Sequence, residues 1–270
     1  MEFSNKTVVI TGGASGIGFA LAALLSAKGA KVAIVDLDPE AVQTAAAHIG
    51  CLGIPCDVTD ESRVQSLVTS VSEKFGEIDI YVSNAGVFHG QPDHAASATD
   101  DVWMRNWSVH VMAHVYAARA LLPQMLKRGS GYFINVTSAA GLLNQIGDAA
   151  YSATKQAAVS FAESLAITHG DAGIGVSVVC PQYVATPLIG LQDADAQTQP
   201  GLLTAEQVAQ SILKGVEAGQ FRILPHPEVA RFAEMRAQNH DGWIEGMQRL
   251  RAKSLAKLGA ERVAELYRIL

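Results

Sequence analysis

The chain has 270 residues, 49% of them hydrophobic and 17% charged, with a formal net charge of -6. That composition excludes a disordered or fibrous chain and suits one globular domain over residues 1–270 with a substantial core. An acidic balance without a Lys/Arg block excludes a nucleic-acid or anionic-membrane surface, because counterion release needs clustered cations. Cys51, Cys56 and Cys180 are an odd set with no C-x-x-C pair, so they indicate neither a disulfide framework nor a zinc site and fit a reducing cytoplasm. The start, MEFSNKTVVITGG, holds too short an apolar run for a signal peptide, and no run of about 20 apolar residues predicts a membrane crossing.

Thr7 to Ile10 is a short β-branched run that predicts a buried strand. TGGASGIG follows, from Thr11 to Gly18, with Gly12, Gly16 and Gly18 allowing a tight turn, close backbone approach and close helix packing. Phe19 to Lys28 then reads as an Ala/Leu helix. A strand, glycine loop and helix aim bare N–H groups and a positive dipole end at one place, which suits a pyrophosphate. Lys31 to Val35 is a second strand, ending in Asp36. A carboxylate there accepts both hydroxyls of an adenosine ribose and repels a 2'-phosphate, which favours NAD over NADP, and Leu37 offers no cation in rescue.

Helix from Pro39 to His48, strand at Leu52 to Pro55, helix from Glu61 to Phe75 and strand from Ile78 to Val82 repeat the alternation. It predicts right-handed crossovers and an α/β fold: a Rossmann-like, doubly wound parallel sheet with helices on both faces. Asp57 and Val58 follow a strand end. Asp57 can bond an adenine amine or cap the next helix, for which Asp60 is the better candidate. Ser83-Asn84-Ala85-Gly86 is a turn whose small residues leave room for a ribose. Residues 88–100 read as a loop, and Asp101 to Leu126 as one long helix with Pro123 in its last turn. His110 and His114 are four apart on it, but no third ligand accompanies them, so no metal is expected.

Gly131 to Val136 is a strand that delivers Ser138 to the carboxyl edge of the sheet. Tyr151 and Lys155 fall at i and i+4 of a helix, so a phenol and an ammonium share one face. A phenol ionises near pH ~10, and a base at pH ~7 needs about three units of help, roughly 4 kcal/mol. One cation about 4 Å away at an effective dielectric of ~20 supplies about that. Val176 to Cys180 is the next strand, and Pro181 to Pro187 follows as a segment able to close over a nicotinamide.

Taken together, TGGASGIG, Asp36, Asp57-Val58, Ser83 to Gly86, Ser138, YSATK and the P-x-x-V-x-T-P segment resemble the short-chain dehydrogenase/reductase family over about residues 5–190. The resemblance implies an oxidoreductase with NAD as cofactor. Tyr151 would be the general base or acid, Lys155 would bind the nicotinamide ribose and lower the phenol, and Ser138 would hold the substrate oxygen. It places Gly12, Ser15, Gly16, Ile17, Gly18, Asp36, Asp57, Val58, Asn84, Gly86, Pro181, Val184 and Thr186 around the nucleotide. A homodimer or homotetramer is the implied assembly.

Three departures from the family pattern stand out. His110 occupies the position of an active-site asparagine, where it either relays a proton past Lys155 or fills the space. Gln182 replaces a glycine after Pro181 and faces substrate or solvent. After a helix from Thr204 to Ala218, Phe221 to Pro225 leads into a charged helical tail where a seventh strand is usual. In that tail Ile244, Met247, Leu250, Leu255 and Leu258 form an apolar stripe, to pack on its own subunit, on a second copy or over the substrate pocket. Residues 188–220 form the expected lid region, its polar stretch running from Leu188 to Gly201.

Specificity is expected from Phe88 to His94, Leu142 to Ile146 with Gln145, Gln182-Tyr183 and the lid from Leu188. These segments hold no Arg or Lys, so the expected substrate is a neutral, moderately apolar secondary alcohol or ketone, cyclic or aryl-bearing. The alternatives are an NADP-linked carbonyl reductase, and a nucleotide sensor or scaffold that kept the fold without the chemistry.

Overall fold

The computed structural model describes residues 2–91, 93–196, 199 and 201–258; residues 197, 198 and 200 of the expected lid and 259–270 of the expected tail lie outside them. From the amino end run β1 (Thr7–Thr11), α1 (Gly16–Ala27), β2 (Lys31–Asp36), α2 (Pro39–Ile49), β3 (Leu52–Pro55), α3 (Glu61–Phe75) and β4 (Ile80–Ser83). Then come α4 (Asp100–Trp107), a π-helical turn (Ser108–Met112), α5 (Ala113–Arg128), β5 (Gly131–Val136), α6 (Ala140–Leu143), α7 (Ala149–His169) and β6 (Ile174–Val179). The carboxyl-terminal third holds β7 (Tyr183–Ala185), α8 (Asp193–Ala196), β8 (Leu202–Thr204), α9 (Ala205–Glu217), β9 (Arg222–Ile223), α10 (Glu228–Gln238) and α11 (His240–Leu258).

Seven strands form one parallel sheet in the order β3-β2-β1-β4-β5-β6-β9. Side chains alternate between its faces. Val8, Ile10, Val32, Ile34, Ile80 and Val82 meet Leu21 and Leu25 of α1 and Val208 and Ile212 of α9. Their neighbours Val9, Ala33, Val35 and Tyr81 meet Leu67 of α3, Leu121 of α5 and Ala162 of α7. Both faces are covered, which is why these strands read as continuous apolar runs. The chain reverses its direction of winding between β1 and β4, and such a switch point leaves a crevice at the carboxyl ends of the strands.

Three expectations need correction. The long helix carries a π turn at Ser108–Met112 between α4 and α5, with helical backbone throughout, and α5 runs on to Arg128, so Pro123 is interior to it. A seventh strand is present, although it has only two residues, with Arg222 opposite Val178 and Ile223 opposite Val179 on β6. The tail's buried face is rotated from the apolar stripe. Trp243, Met247, Leu250 and Ser254 turn inward, whereas Ile244 (45% exposed) and Leu255 (37%) turn outward. Asp60, as expected, caps α3 by accepting Ser62 and Arg63 N–H.

Candidate active site

A cavity of about 400 Å3 follows the carboxyl edge from Asp36 and Asp57 across the glycine loop to Ser138, Tyr151 and Lys155. Its floor exists because glycine stands where side chains would collide. A Cβ on Gly12 would lie 2.9 Å from the Ala85 Cα, and one on Gly18 would run into the Gly12 carbonyl oxygen. Gly12 also adopts φ +62, a left-handed conformation that glycine takes without strain. Behind this floor α1 begins with no acidic residue in its first turn and no side-chain cap, leaving its N–H groups to an anion. Asp36 accepts Ala14 N–H at 3.1 Å and Leu37 N–H at 2.8 Å, which fixes its carboxylate at the far end. The residues fit a dinucleotide: bare backbone under the phosphates and a carboxylate at the ribose end.

Of the residues expected around the nucleotide, Ser15, Gly16, Ile17, Asp57, Val58, Gly86, Pro181, Val184 and Thr186 line this cavity, as do Gly12, Asp36 and Asn84. Gly18 lies behind Gly12 instead. The Asn84 amide is turned to the loop, donating to the carbonyls of Thr11 at 2.9 Å and Gly12 at 3.1 Å. The Asp57 carboxylate closes a local turn onto Thr59 N–H and hydroxyl.

The end of the cavity that holds Tyr151 and Lys155 is built by α7. Asp148 caps the helix through Tyr151 N–H at 3.0 Å, and its other oxygen takes Gly90 N–H at 2.8 Å, tying the loop before α4 to the tyrosine. The Tyr151 ring stands edge-on to Phe88 and His110, with centroids 5.6 and 5.3 Å away. The Lys155 ammonium lies 5.5 Å from the Tyr151 ring centroid and reaches the Val136 carbonyl at 3.4 Å. Burial pushes the Tyr151 phenol up to about 12, with its hydrogen bond to Ser138 pulling the other way. Burial likewise holds Lys155 down to about 8. Among the protein's own groups desolvation therefore outweighs the expected help from Lys155.

His110 lies behind this site, fully buried, and lines neither cavity. His114 bonds Asn135 Oδ1 through Nδ1 at 2.9 Å, so the two histidines face different partners. Among the described residues no three His, Cys, Asp or Glu side chains gather as a metal site. Ser138, Gln145, Gln182 and Tyr183 line both the nucleotide cleft and a second cavity beyond it, and Leu188 lines the cleft alone. Two contributors escaped the sequence. Asp148 was visible only as an acidic residue three before Tyr151, a capping signal. His226 is carried in from the end of β9, holding Gln182 N–H on Nδ1 and the Tyr183 carbonyl on Nε2, both at 3.1 Å, with no local signal.

The chain is similar to known dehydrogenases in sequence and in fold. The short chain dehydrogenase family matches residues 6–197. A meso-2,3-butanediol dehydrogenase of Serratia marcescens is 37% identical over 189 residues, 69% of this chain and 74% of that one. A 1-deoxy-11-beta-hydroxypentalenate dehydrogenase of Streptomyces exfoliatus is 32% identical over 259 residues, 90% of each chain. A short chain dehydrogenase/reductase of Burkholderia phymatum, solved in complex with NAD, superposes with a TM-score of 0.80 at 28% identity, covering 88% of this chain and 95% of that one.

Proposed function

The chain belongs to the short-chain dehydrogenase family, and from that premise we propose that it moves a hydride between NAD and a neutral, moderately apolar secondary alcohol or its ketone, cyclic or aryl-bearing. The family uses nicotinamide nucleotides and acts on CH–OH groups; which nucleotide and which alcohol are the proposal. The observation that carries it is the convergence of Ser138, Tyr151 and Lys155 at the end of a dinucleotide-shaped cleft.

A bound nicotinamide supplies the hydride acceptor or donor. The protein's part is to bind, orient and move a proton. Ser138 Oγ–H donates to the alcohol oxygen, steadying the charge that develops there, while Tyr151 Oη takes the hydroxyl proton in oxidation and returns it in reduction. Lys155 is suited to hold the nicotinamide ribose and supply positive charge beside a phenol that burial has made reluctant to ionise. The NAD-bound neighbour and the carboxylate of Asp36 support NAD over NADP.

The apolar side chains of Met104, Trp107 and Ile167 exposed on α4 and α7 support a homodimer or homotetramer, which light scattering will count. Unpaired Cys51, Cys56 and Cys180 support a reducing, cytoplasmic setting. Among the described residues no helix is long and apolar enough to cross a membrane.

Initial rates with NAD and NADP over a panel of secondary alcohols test the reading. Oxidation is expected with NAD, and Tyr151→Phe should lower turnover by about 10² to 10⁴ while still binding NAD. A protein that turns over no alcohol, and whose Tyr151→Phe variant behaves as wild type, is a sensor or scaffold instead.

A further inference from the structure

Past Ser138 the cleft opens into a second cavity of about 610 Å3, lying between the Ser138 to Ile146 stretch with Gln182 and Tyr183 on one side, and α10 and α11 on the other. This roof is fixed to the floor. Phe232 and Trp243, with ring centroids 6.4 Å apart, pack on Ala139, Leu143 and Val229, and Arg236 donates to the Leu142 carbonyl at 2.6 Å. Four side chains, Ser138, Gln145, Gln182 and Tyr183, belong to both cavities, so Ser138 lies at their junction.

Two features show what the roof is shaped for. Gly242 and Gly246 lie four apart on α11 and both line the cavity. A glycine inside a helix costs about 1 kcal/mol relative to alanine; at Gly242 a Cβ would run into the Asn239 side chain that accepts its N–H, whereas at Gly246 the helix gives up that stability beside open volume. A Cβ on Gly246 would meet nothing closer than the Arg249 side chain at 3.8 Å, so that room is not filled by the protein. The charged residues lining the cavity, Glu245 and Arg249, are exposed and paired with each other at 3.7 Å, which leaves the chamber no net charge. A cavity of about 150 Å3 admits one benzene, and this chamber is roughly four times that.

We propose, building on the dehydrogenase reading above, that the substrate carries an uncharged apolar body of at least two rings, seated under α10 and α11 with its carbinol at Ser138. Phe232, Trp243, Met247 and Leu250 are the contacts for that body, and the chamber's size falls within the about 300–1,000 Å3 of sites that enclose most of a drug-sized ligand.

The test compares cyclohexanol with 4-phenylcyclohexanol as substrates and follows 4-phenylcyclohexanone binding by calorimetry, in wild type and in Gly246→Phe, which fills the chamber from the roof. Gly246→Ala serves as the folding control. The wild type is expected to favour the two-ring alcohol at least tenfold in kcat/KM. Gly246→Phe should abolish that preference and the ketone's binding while leaving cyclohexanol within twofold. Equal or better use of cyclohexanol by the wild type, or a Gly246→Phe effect that strikes both alcohols alike, overturns the inference and leaves the dehydrogenase reading standing. If no secondary alcohol of the wider panel is oxidised with NAD or NADP, the dehydrogenase reading falls and the substrate assignment falls with it.

Discussion

The backbone N–H of Val87 donates to Nε2 of His110 at 3.0 Å. Nδ1 therefore carries the ring proton, and it meets the Thr154 hydroxyl at 3.0 Å, whose own proton goes to the Ala150 carbonyl at 2.9 Å. Burial, then the charge of Lys155, holds this imidazole well below its usual pKa. With both nitrogens occupied, the ring offers no lone pair to a proton in transit. Its geometry favours a positioning role: it pins the segment after Gly86 to α7 beside the tyrosine.

For His110 the expected outcome follows from those two bonds. His110→Asn should keep an acceptor for Val87 N–H and hold kcat within about threefold, whereas His110→Ala should leave that amide without its partner and lower kcat/KM by roughly tenfold or more. Neither variant should change the acid limb of the pH–rate profile. Disappearance of a limb near pH ~6.5 on substitution would restore the proton relay.

Cofactor choice is the second prediction. Asp36 holds Ala14 and Leu37 N–H with its oxygens, and the proposed preference for NAD rests on its charge opposing a 2'-phosphate. Asp36→Asn keeps an oxygen for the glycine loop while removing the charge, and Leu37→Arg adds a phosphate partner on an exposed position. The double variant should shift the NADP-to-NAD ratio of kcat/KM by about a hundredfold or more toward NADP, as two charge-assisted contacts of about 1.5–3 kcal/mol would require. An unchanged ratio would show that Asp36 does not face the ribose.

Much of this architecture is written locally. β1, β2, β4, β5 and β6 are buried on both faces, so their β-branched runs are conspicuous, and TGGASGIG, Asp36, Ser138, Tyr151 and Lys155 need only short-range spacing to be recognised. What escaped depends on distant partners. The π turn at Ser108–Met112 has no sequence pattern that marks its wider hydrogen bonding, and β9 is two residues long and defined only by β6. The inner face of α11 was misjudged because Gly242 and Gly246 belong to it, and glycine does not register as apolar pattern. His226 acts on residues more than forty positions earlier in the chain.

Stability in acid is the third prediction. Burial, and next the charge of Lys155, lowers His114 from 6.5 to about 3, and its Nε2 has no hydrogen-bond partner in the structure. The folded ring is thus neutral between pH 6.5 and 3, while the unfolded ring takes up a proton. The unfolded state binds more protons over that window, so stability rises with pH there and is lost as pH falls below about 6.5. His114 alone should account for about 2 kcal/mol lost by pH ~5, at about 1.4 kcal/mol per pKa unit. Urea unfolding at pH ~7.5 and ~5 should show His114→Gln losing less than wild type by about that amount. Parallel losses would mean the ring is not neutral in the fold.

His226 supplies the last prediction. It accepts Gln182 N–H on Nδ1 and gives its Nε2 proton to the Tyr183 carbonyl, which makes the neutral ring a clamp on two of the four residues shared by cleft and chamber. Burial keeps the ring below its usual pKa, which favours the neutral form that both bonds require. His226→Ala releases the segment without touching the glycine loop or Asp36. A misplaced segment should raise KM for the alcohol by roughly tenfold, since small displacements in a bound geometry carry costs of that order or more, while the NAD dissociation constant, carried mainly by the glycine loop and Asp36, rises by a smaller factor. His226→Asn, which can still accept from Gln182 N–H, should recover part of the loss. If NAD binding weakens as much as alcohol use, the clamp belongs to the nucleotide side and its assignment to the substrate segment is wrong.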